Sequence, residues 1–235
     1  MKTKVRDVMT KRVVVVQQAA PFKEILRLLH DHRVSALPVL DEDGRAVGMV
    51  SEADLLLKEE FPPSEPAPLL EFHHRRHDRA RAAGTVAAEV MSAPVITVGP
   101  EASLGEAARI MHEHRIKRLP VVDENGRVLG IVSRRDLLRV FLRPDADIEA
   151  EVRDQIIDRV LWMDPRELRA AVTDGKVVLS GQMERRSLAD ILVEMVSGVE
   201  GVIAVESHLS WRMDDRAARP AVVAPWGVLP PALRG

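Results

Sequence analysis

Two short motifs carry side chains able to do chemistry, and both have the form Ser-x-x-Asp. Ser51 and Asp54 lie in GMVSEAD, residues 48 to 54, and Ser133 and Asp136 in GIVSRRD, residues 130 to 136. Each motif follows a short apolar run and precedes two or three leucines, which places each serine where a strand becomes a helix. At such a junction a hydroxyl and unpaired backbone N–H groups favour an anion. A carboxylate three residues on can accept hydrogen bonds from vicinal hydroxyls. The same spacing is also what ordinary helix capping produces. The residues alone leave both readings open.

Other reactive side chains are less well placed. His30 and His32, like His112 and His114, stand two residues apart, a spacing that does not put both on one helical face. His73 and His77 are four apart and could share a metal. No cysteine or paired carboxylate completes such a set, and the neighbouring arginines repel a cation, so no metal site is expected. Neither serine has a local histidine base. A Gly-x-Ser-x-Gly elbow, a Walker loop and a zinc-protease helix are all absent. The expectation is a non-catalytic protein with no required cofactor.

The elements that position the two motifs come as a repeat. Residues 29 to 56 match residues 111 to 138 at a constant spacing of 82, and the correspondence reaches back to Met9 and Met91 without a gap. Phe22, Ile25, Leu26, Leu28 and Leu29 recur with helical spacing, as do Leu104, Ala107, Ala108, Ile110 and Met111. Ser103 and Glu106 form a capping-box pair at the start of the second helix. Valines 13 to 16 read as a strand. Leu37 to Leu40 and Ala46 to Val50 read as a hairpin closed at Asp43-Gly44, and Leu119 to Val122 and Val128 to Val132 as another closed at Asn125-Gly126. Each copy is strand, helix, strand, strand, helix. Its sheet is too small to bury a face alone, so the copies are expected to pair.

The spacer between copies, residues 58 to 84, begins with a proline-rich run and continues as a basic segment, His73-His74-Arg75-Arg76-His77. The proline part is expected to be exposed, and the basic part to form a helix outside the core. From Asp147 a further α+β unit begins. An amphipathic helix from Ile148 to Leu161 is closed by Asp164-Pro165. Strands at 168 to 172, 177 to 181 and 202 to 209 flank a helix at 188 to 196. Beyond Asp214 the chain reads as a flexible tail, in which Trp226 could dock on a partner.

Composition narrows the function classes. The chain of 235 residues has a formal net charge of -2 and no cysteine, which fits a reducing compartment. Neither a signal segment nor a run of about 20 apolar residues is present, and a cytoplasmic protein is expected. Residues 147 to 211 hold 13 acidic and 7 basic side chains, which opposes nucleic-acid or anionic-lipid binding through that surface. Aromatics at 3% cannot supply base-stacking platforms.

The repeated unit resembles the CBS domain, and the pair resembles a Bateman module. The residues that carry this are Val-Ser-Ala-Leu-Pro-Val at 34 to 39, the Asp-x-x-Gly turns and Gly-x-Val-Ser-x-x-Asp in both copies. Residues 147 to 211 resemble a BON domain through DGKVVLSG at 174 to 181 and SGVEGVIAVESHL at 197 to 209. The implied organisation is an α+β protein with one repeat at 1–57, a connector at 58–84, a second repeat at 85–142, a BON-like domain at 147–211 and a tail at 212–235.

This resemblance implies regulatory binding of AMP, ADP, ATP or S-adenosylmethionine in two clefts shared between the copies. Asp54 and Asp136 would bind ribose hydroxyls, with Ser51 and Ser133 near phosphate. One site would join Ser133 and Asp136 to Val14, Ser35, Ala36 and Pro38. The other would join Ser51 and Asp54 to Ile96, Lys117, Arg118 and Pro120. Lys117 and Arg118 make the second of these the better site for ATP or ADP. The family also implies a homodimer formed through the helices, for which the apolar faces at Ile25 to Leu29 and Leu104 to Met111 are available. A BON domain implies binding to membrane phospholipid or another envelope component, disfavoured here by acidity and the lack of a signal segment, and a separate protein partner is the other expectation. The alternative is an adaptor with empty clefts, and a basic connector leaves nucleic-acid binding as a third, less favoured class.

Overall fold

Val16, Ile25, Leu37, Val50 and Leu55 recur 82 residues later as Val98, Ala107, Leu119, Val132 and Leu137, and every one of the ten is buried. The periodic apolar pattern thus marks two equivalent cores, each beneath one copy of the repeat. The computed structural model describes residues 3–61, 73–158 and 168–216. It divides into two units, Met1–Arg139 and Val140–Gly235.

In the first copy, β1 (Val16–Gln17) runs parallel to β2 (Ala36–Leu40), which pairs antiparallel with β3 (Ala46–Ser51). Helix α2 (Phe22–His32) lies between β1 and β2, and α3 (Glu52–Glu60) follows β3. In the second copy, α6 (Leu104–Glu113), β4 (Arg118–Val122), β5 (Val128–Ser133) and α7 (Arg134–Leu138) repeat the order. The leading strand is shorter than the valine run predicts, and in the second copy it is a single parallel bridge from Val98 to Val121. Both hairpin turns are held by an aspartate: Asp41 accepts from the N–H of Asp43 and Arg45, and Asp123 from those of Asn125 and Arg127. Gly44 and Gly126 take φ of 79° and 81° in these turns, a region that only glycine enters freely.

The segments that lead into each copy are exchanged. Helix α1 (Val5–Val8) precedes the first copy, yet the Val5 N–H donates to the Ala102 carbonyl at 3.0 Å and Thr10 pairs with Ile131. Helix α5 (Ala87–Val90) precedes the second copy and packs on the first: the Ala87 N–H donates to Ala20 at 2.9 Å, and Ser92 pairs with Met49. Val5 is fully buried in the second core, and Ala87 in the first. Arg45 pairs with Arg127, its own counterpart, so an axis of two-fold pseudosymmetry passes between the turns.

The exchange also explains two glycines. A Cβ on Gly48 would overlap the side chain of Met91, and a Cβ on Gly130 would overlap Met9 and stand 3.0 Å from the backbone oxygen of Thr10. A methionine can turn aside, whereas a carbonyl in a pairing bridge cannot. Gly130→Ala is therefore expected to cost about 2 kcal/mol and Gly48→Ala about 1 kcal/mol. Urea denaturation of the two variants checks this ranking, and equal losses would overturn it.

The basic part of the connector is a helix outside the three core clusters, but its far end is anchored to the fold. This helix, α4 (His73–Ala82), packs on α3, and Ala82 is buried. The Lys58 ammonium donates to the Ala82 and Gly84 carbonyls at 3.0 and 2.8 Å, neutralising the negative end of α4. Arg75 and Arg79 lie over the Phe61 ring. Arginine stems and planar guanidinium groups cover an apolar surface well, which is why so polar a helix can dock. The proline-rich part of the connector falls outside the described residues.

The apolar helix faces expected to pair copies of the chain are turned inward only in part. Ile25, Leu29, Ala107 and Met111 are buried in the two cores beneath their own sheets, while Leu26 of α2 stays 44% exposed. Leu56 and Leu138, which are counterparts on α3 and α7, remain 63% and 61% exposed.

The second unit begins with α8 (Asp145–Glu151), which continues as a π-helical segment, Val152–Ile157. The wider turn brings both Ile156 and Ile157 to the core, where the sequence pattern predicts a regular α-helix. Strand β6 (Leu168–Thr173) pairs antiparallel with β7 (Lys176–Arg185), and β7 pairs parallel with β8 (Ala204–Met213). Helix α9 (Arg186–Ser197) makes the crossover. The carboxylate of Asp145 takes the N–H groups of Asp174 and Gly175 at 2.7 and 2.9 Å, fixing the turn between β6 and β7. Asp164-Pro165 and Trp226 lie outside the described residues.

Candidate functional site

Where β3 gives way to α3, the Ser51 N–H and hydroxyl both donate to Asp54 Oδ2, at 2.7 and 2.6 Å. Where β5 gives way to α7, Ser133 makes the same two bonds to Asp136 at 2.8 and 2.6 Å. Both motifs therefore cap their helices. Capping uses one oxygen of each carboxylate, and the other oxygen differs between copies. Asp54 Oδ1 accepts from the Ser92 hydroxyl at 3.1 Å and from the Arg81 guanidinium of α4. Asp136 Oδ1 has no hydrogen-bond partner among the described residues.

Asp54 opens on a cleft of about 500 Å³ between the two copies, a size suited to a small-molecule ligand. Its walls are mostly apolar: Met49 and Leu56 come from the first copy, and Pro94, Val95, Ile96 and Ile116 from the second. Polar groups stand at two edges. Ser51, Asp54 and Ser92 form one, and Arg115, Lys117 and Arg118 make the other net cationic, with the carboxylate of Glu52 beside Arg118. Arg118 is half-buried, and its guanidinium is held below the usual arginine range by burial, against the attraction of Glu52 and Asp136. It stays charged at neutral pH and donates to the Ser35 hydroxyl at 2.7 Å.

The cationic edge follows from the repeat. The Glu52 N–H donates to the Ser35 carbonyl, and its counterpart, the Arg134 N–H, donates to that of Lys117, each at 3.1 Å. Ser35 and Ala36 in the first copy thus occupy the places of Lys117 and Arg118 in the second. The two halves share one backbone and differ in charge.

The structure brings together Ser51, Asp54, Ile96, Lys117 and Arg118 of the site assigned to the first motif. Ser35 and Ala36, which the resemblance gave to the other site, line this cleft too. Pro120 does not: it lies in mid-hairpin opposite Ile131, and its carbonyl takes the Val98 N–H at 3.1 Å. Pro38 holds the corresponding place opposite Met49, and Val14 packs against the first core. Ser133 and Asp136 stand at the start of α7, with Asp136 near enough to Arg118 to act on its charge. Of the remaining cations, Arg134 donates to the carbonyls of Ile116 and Met111 and so serves the end of α6. Arg81 and Ser92 were not visible as site residues, since nothing in their local sequence links them to Asp54. Among the described residues no cluster of three metal-ligating side chains occurs, and no helix is long and apolar enough to cross a membrane.

This arrangement can be set beside known proteins. The CBS-domain model matches residues 5–59 and 86–143, and the BON-domain model matches residues 144–213. The protein MJ1426 of Methanocaldococcus jannaschii is 32% identical over 153 residues, covering 59% of this chain and 90% of its own length. The chain belongs to the CBS-domain family. It is a tandem CBS pair followed by a BON domain. The CBS domain-containing protein YhcV of Bacillus subtilis is 33% identical, with 57% of this chain and 81% of that protein covered. Among solved structures, CBSX2 in complex with AMP superposes with a TM-score of 0.52 at 31% identity, covering 59% of this chain and 96% of that one. CBSX2 is an Arabidopsis thaliana protein.

Proposed function

We propose that the CBS pair is a non-catalytic sensor that binds an adenosine nucleotide, AMP foremost, in the cleft beside Asp54. The observation that carries this reading is the cleft itself, in which an apolar slot separates a carboxylate edge from the cationic edge of Arg115, Lys117 and Arg118. An adenine ring suits the slot, and a phosphate suits the cations. Ser51 stands at the N-terminus of α3 and adds its hydroxyl to that polar frame. The solved AMP complex of CBSX2 supports the choice of ligand.

In this reading the protein is cytoplasmic, and occupancy passes to the BON domain or to a separate partner. Signalling requires the ligand to prefer one arrangement of the CBS pair over another. A homodimer would form through α3 and α7, where Leu56 and Leu138 are exposed.

Titration calorimetry of nucleotide-stripped protein with AMP, ADP, ATP and S-adenosylmethionine tests the reading. Saturable binding of AMP is expected, weakened at least tenfold in Arg118→Gln. Adenosine, which has no phosphate, should lose less from the same change. Absence of binding to all four ligands at near-millimolar concentration would sink the sensor reading and favour an adaptor with an empty cleft.

A further inference from the structure

Resting on the reading of this cleft as a nucleotide site, a second question is how the site is controlled. A carboxylate offers about four lone-pair positions to donors. The protein fills four at Asp54: Oδ2 takes the N–H and hydroxyl of Ser51, and Oδ1 takes the Ser92 hydroxyl and Arg81. No capacity remains for a ribose diol. The counterpart, Asp136, keeps an oxygen without a hydrogen-bond partner among the described residues.

Arg81 is a built contact. It lies in the last turn of α4, and its Nε and Nη2 also donate to the Val90 carbonyl, at 3.2 and 2.9 Å. Nη2 reaches the Ser92 hydroxyl at 3.1 Å as well. The side chains of Arg81 and Asp54 are only 13% and 12% exposed, so water screens their attraction weakly. Asp54 lines the cleft and Arg81 does not. An arginine from the connector and a sugar from the cleft therefore approach the same carboxylate by different routes.

We propose that Arg81 is an internal competitor for the ribose hydroxyls at Asp54. A ribonucleotide makes its diol contact by displacing donors from Asp54, and drawing the carboxylate toward the cleft takes it away from Arg81, which loosens the grip of α4 on α3. By linkage, whatever Arg81 subtracts from ribose affinity, the bound ribose subtracts from the docking of α4. The connector helix thereby becomes the element that reports occupancy. Arg81 also sets specificity, because with Asp54 saturated the cleft ranks ligands by phosphate and base more than by ribose.

The test compares AMP with 2′,3′-dideoxyadenosine monophosphate, which lacks the diol, on the full chain carrying wild-type Arg81 or Arg81→Met. Methionine keeps much of the buried volume and removes the donors, and circular dichroism verifies folding. The ratio of the two dissociation constants is read within each protein, so loss of a nearby positive charge affects both ligands and cancels. Preference for AMP should rise at least tenfold in Arg81→Met. Amide exchange over residues 73–82 of the wild-type chain should quicken when AMP binds. An unchanged ratio, with AMP still bound by wild type, would overturn the competition and leave the sensor standing. Slower exchange with AMP would overturn release of the helix, and failure of both ligands to bind either protein would overturn the sensor and the competition together.

Discussion

Asp54→Ala is expected to destabilise the CBS pair by about 3 kcal/mol, and Asp136→Ala by about 1 kcal/mol. The two aspartates occupy equivalent places in the repeat, and their bonds to Ser51 and Ser133 match within 0.1 Å. On capping alone the variants would lose the same amount. The difference lies in what each removal abandons. Without Asp54, the Arg81 guanidinium keeps the Val90 carbonyl, the Ser92 hydroxyl and only a long ion pair to Asp78 at 4.0 Å, in a place that is 13% exposed, and a poorly compensated buried charge is among the costlier defects a fold can carry. Asp136 has no such partner to abandon. Its removal also leaves Arg118 its interactions with Glu52 and Ser35.

Urea titrations with matched slopes measure both losses. Combining Asp54→Ala with Arg81→Met should return about 2 kcal/mol, since the stranded charge is then gone. Equal losses in the two single variants would show that the contact between α4 and Asp54 contributes nothing to stability.

The residues explain which parts of this could be read beforehand. Two hairpins and two amphipathic helices were legible because their signals are local: Asp-x-x-Gly turns, alternation in short strands, and a 3.6-residue apolar period. A repeat at a constant spacing of 82 made pairing of the copies legible as well. Exchange of the lead-in helices was not. Val5 and Ala87 are apolar in either arrangement, and only contact with Ala102 or Ala20 decides which core receives them. The same holds at the site. Lys117 and Arg118 were implied by the resemblance to the family, whereas Arg81 has no motif around it and reaches Asp54 only through the fold. Its neighbours pointed the other way, since a run of arginines and histidines is ordinarily a solvated face. What overrode that signal was the apolar seat of Ala82 and the cover that Arg75 and Arg79 give to Phe61.

The exchange carries the largest stability prediction. Val5→Asp is expected to cost about 4 kcal/mol, because the side chain is fully buried and a carboxylate there has neither water nor a partner. The location of the damage is as informative as its size. Val5 precedes the first copy in sequence, yet it sits among Val98, Ala107, Met111, Leu119 and Val132. Hydrogen exchange should therefore quicken first in α6, β4 and β5. The mirror variant Ala87→Asp, also at a fully buried position, should act first on α2, β2 and β3, where its neighbours are Ile25, Leu37 and Val50. Damage confined in each case to the copy that follows the substituted residue in sequence would refute the exchange. If it holds, each copy borrows part of its core from the lead-in of the other, and neither is a complete folding unit by itself. A shift at the cleft then acts on both cores together, since Met49 and Ser92, which pair across the exchange, also line the cleft beside Asp54.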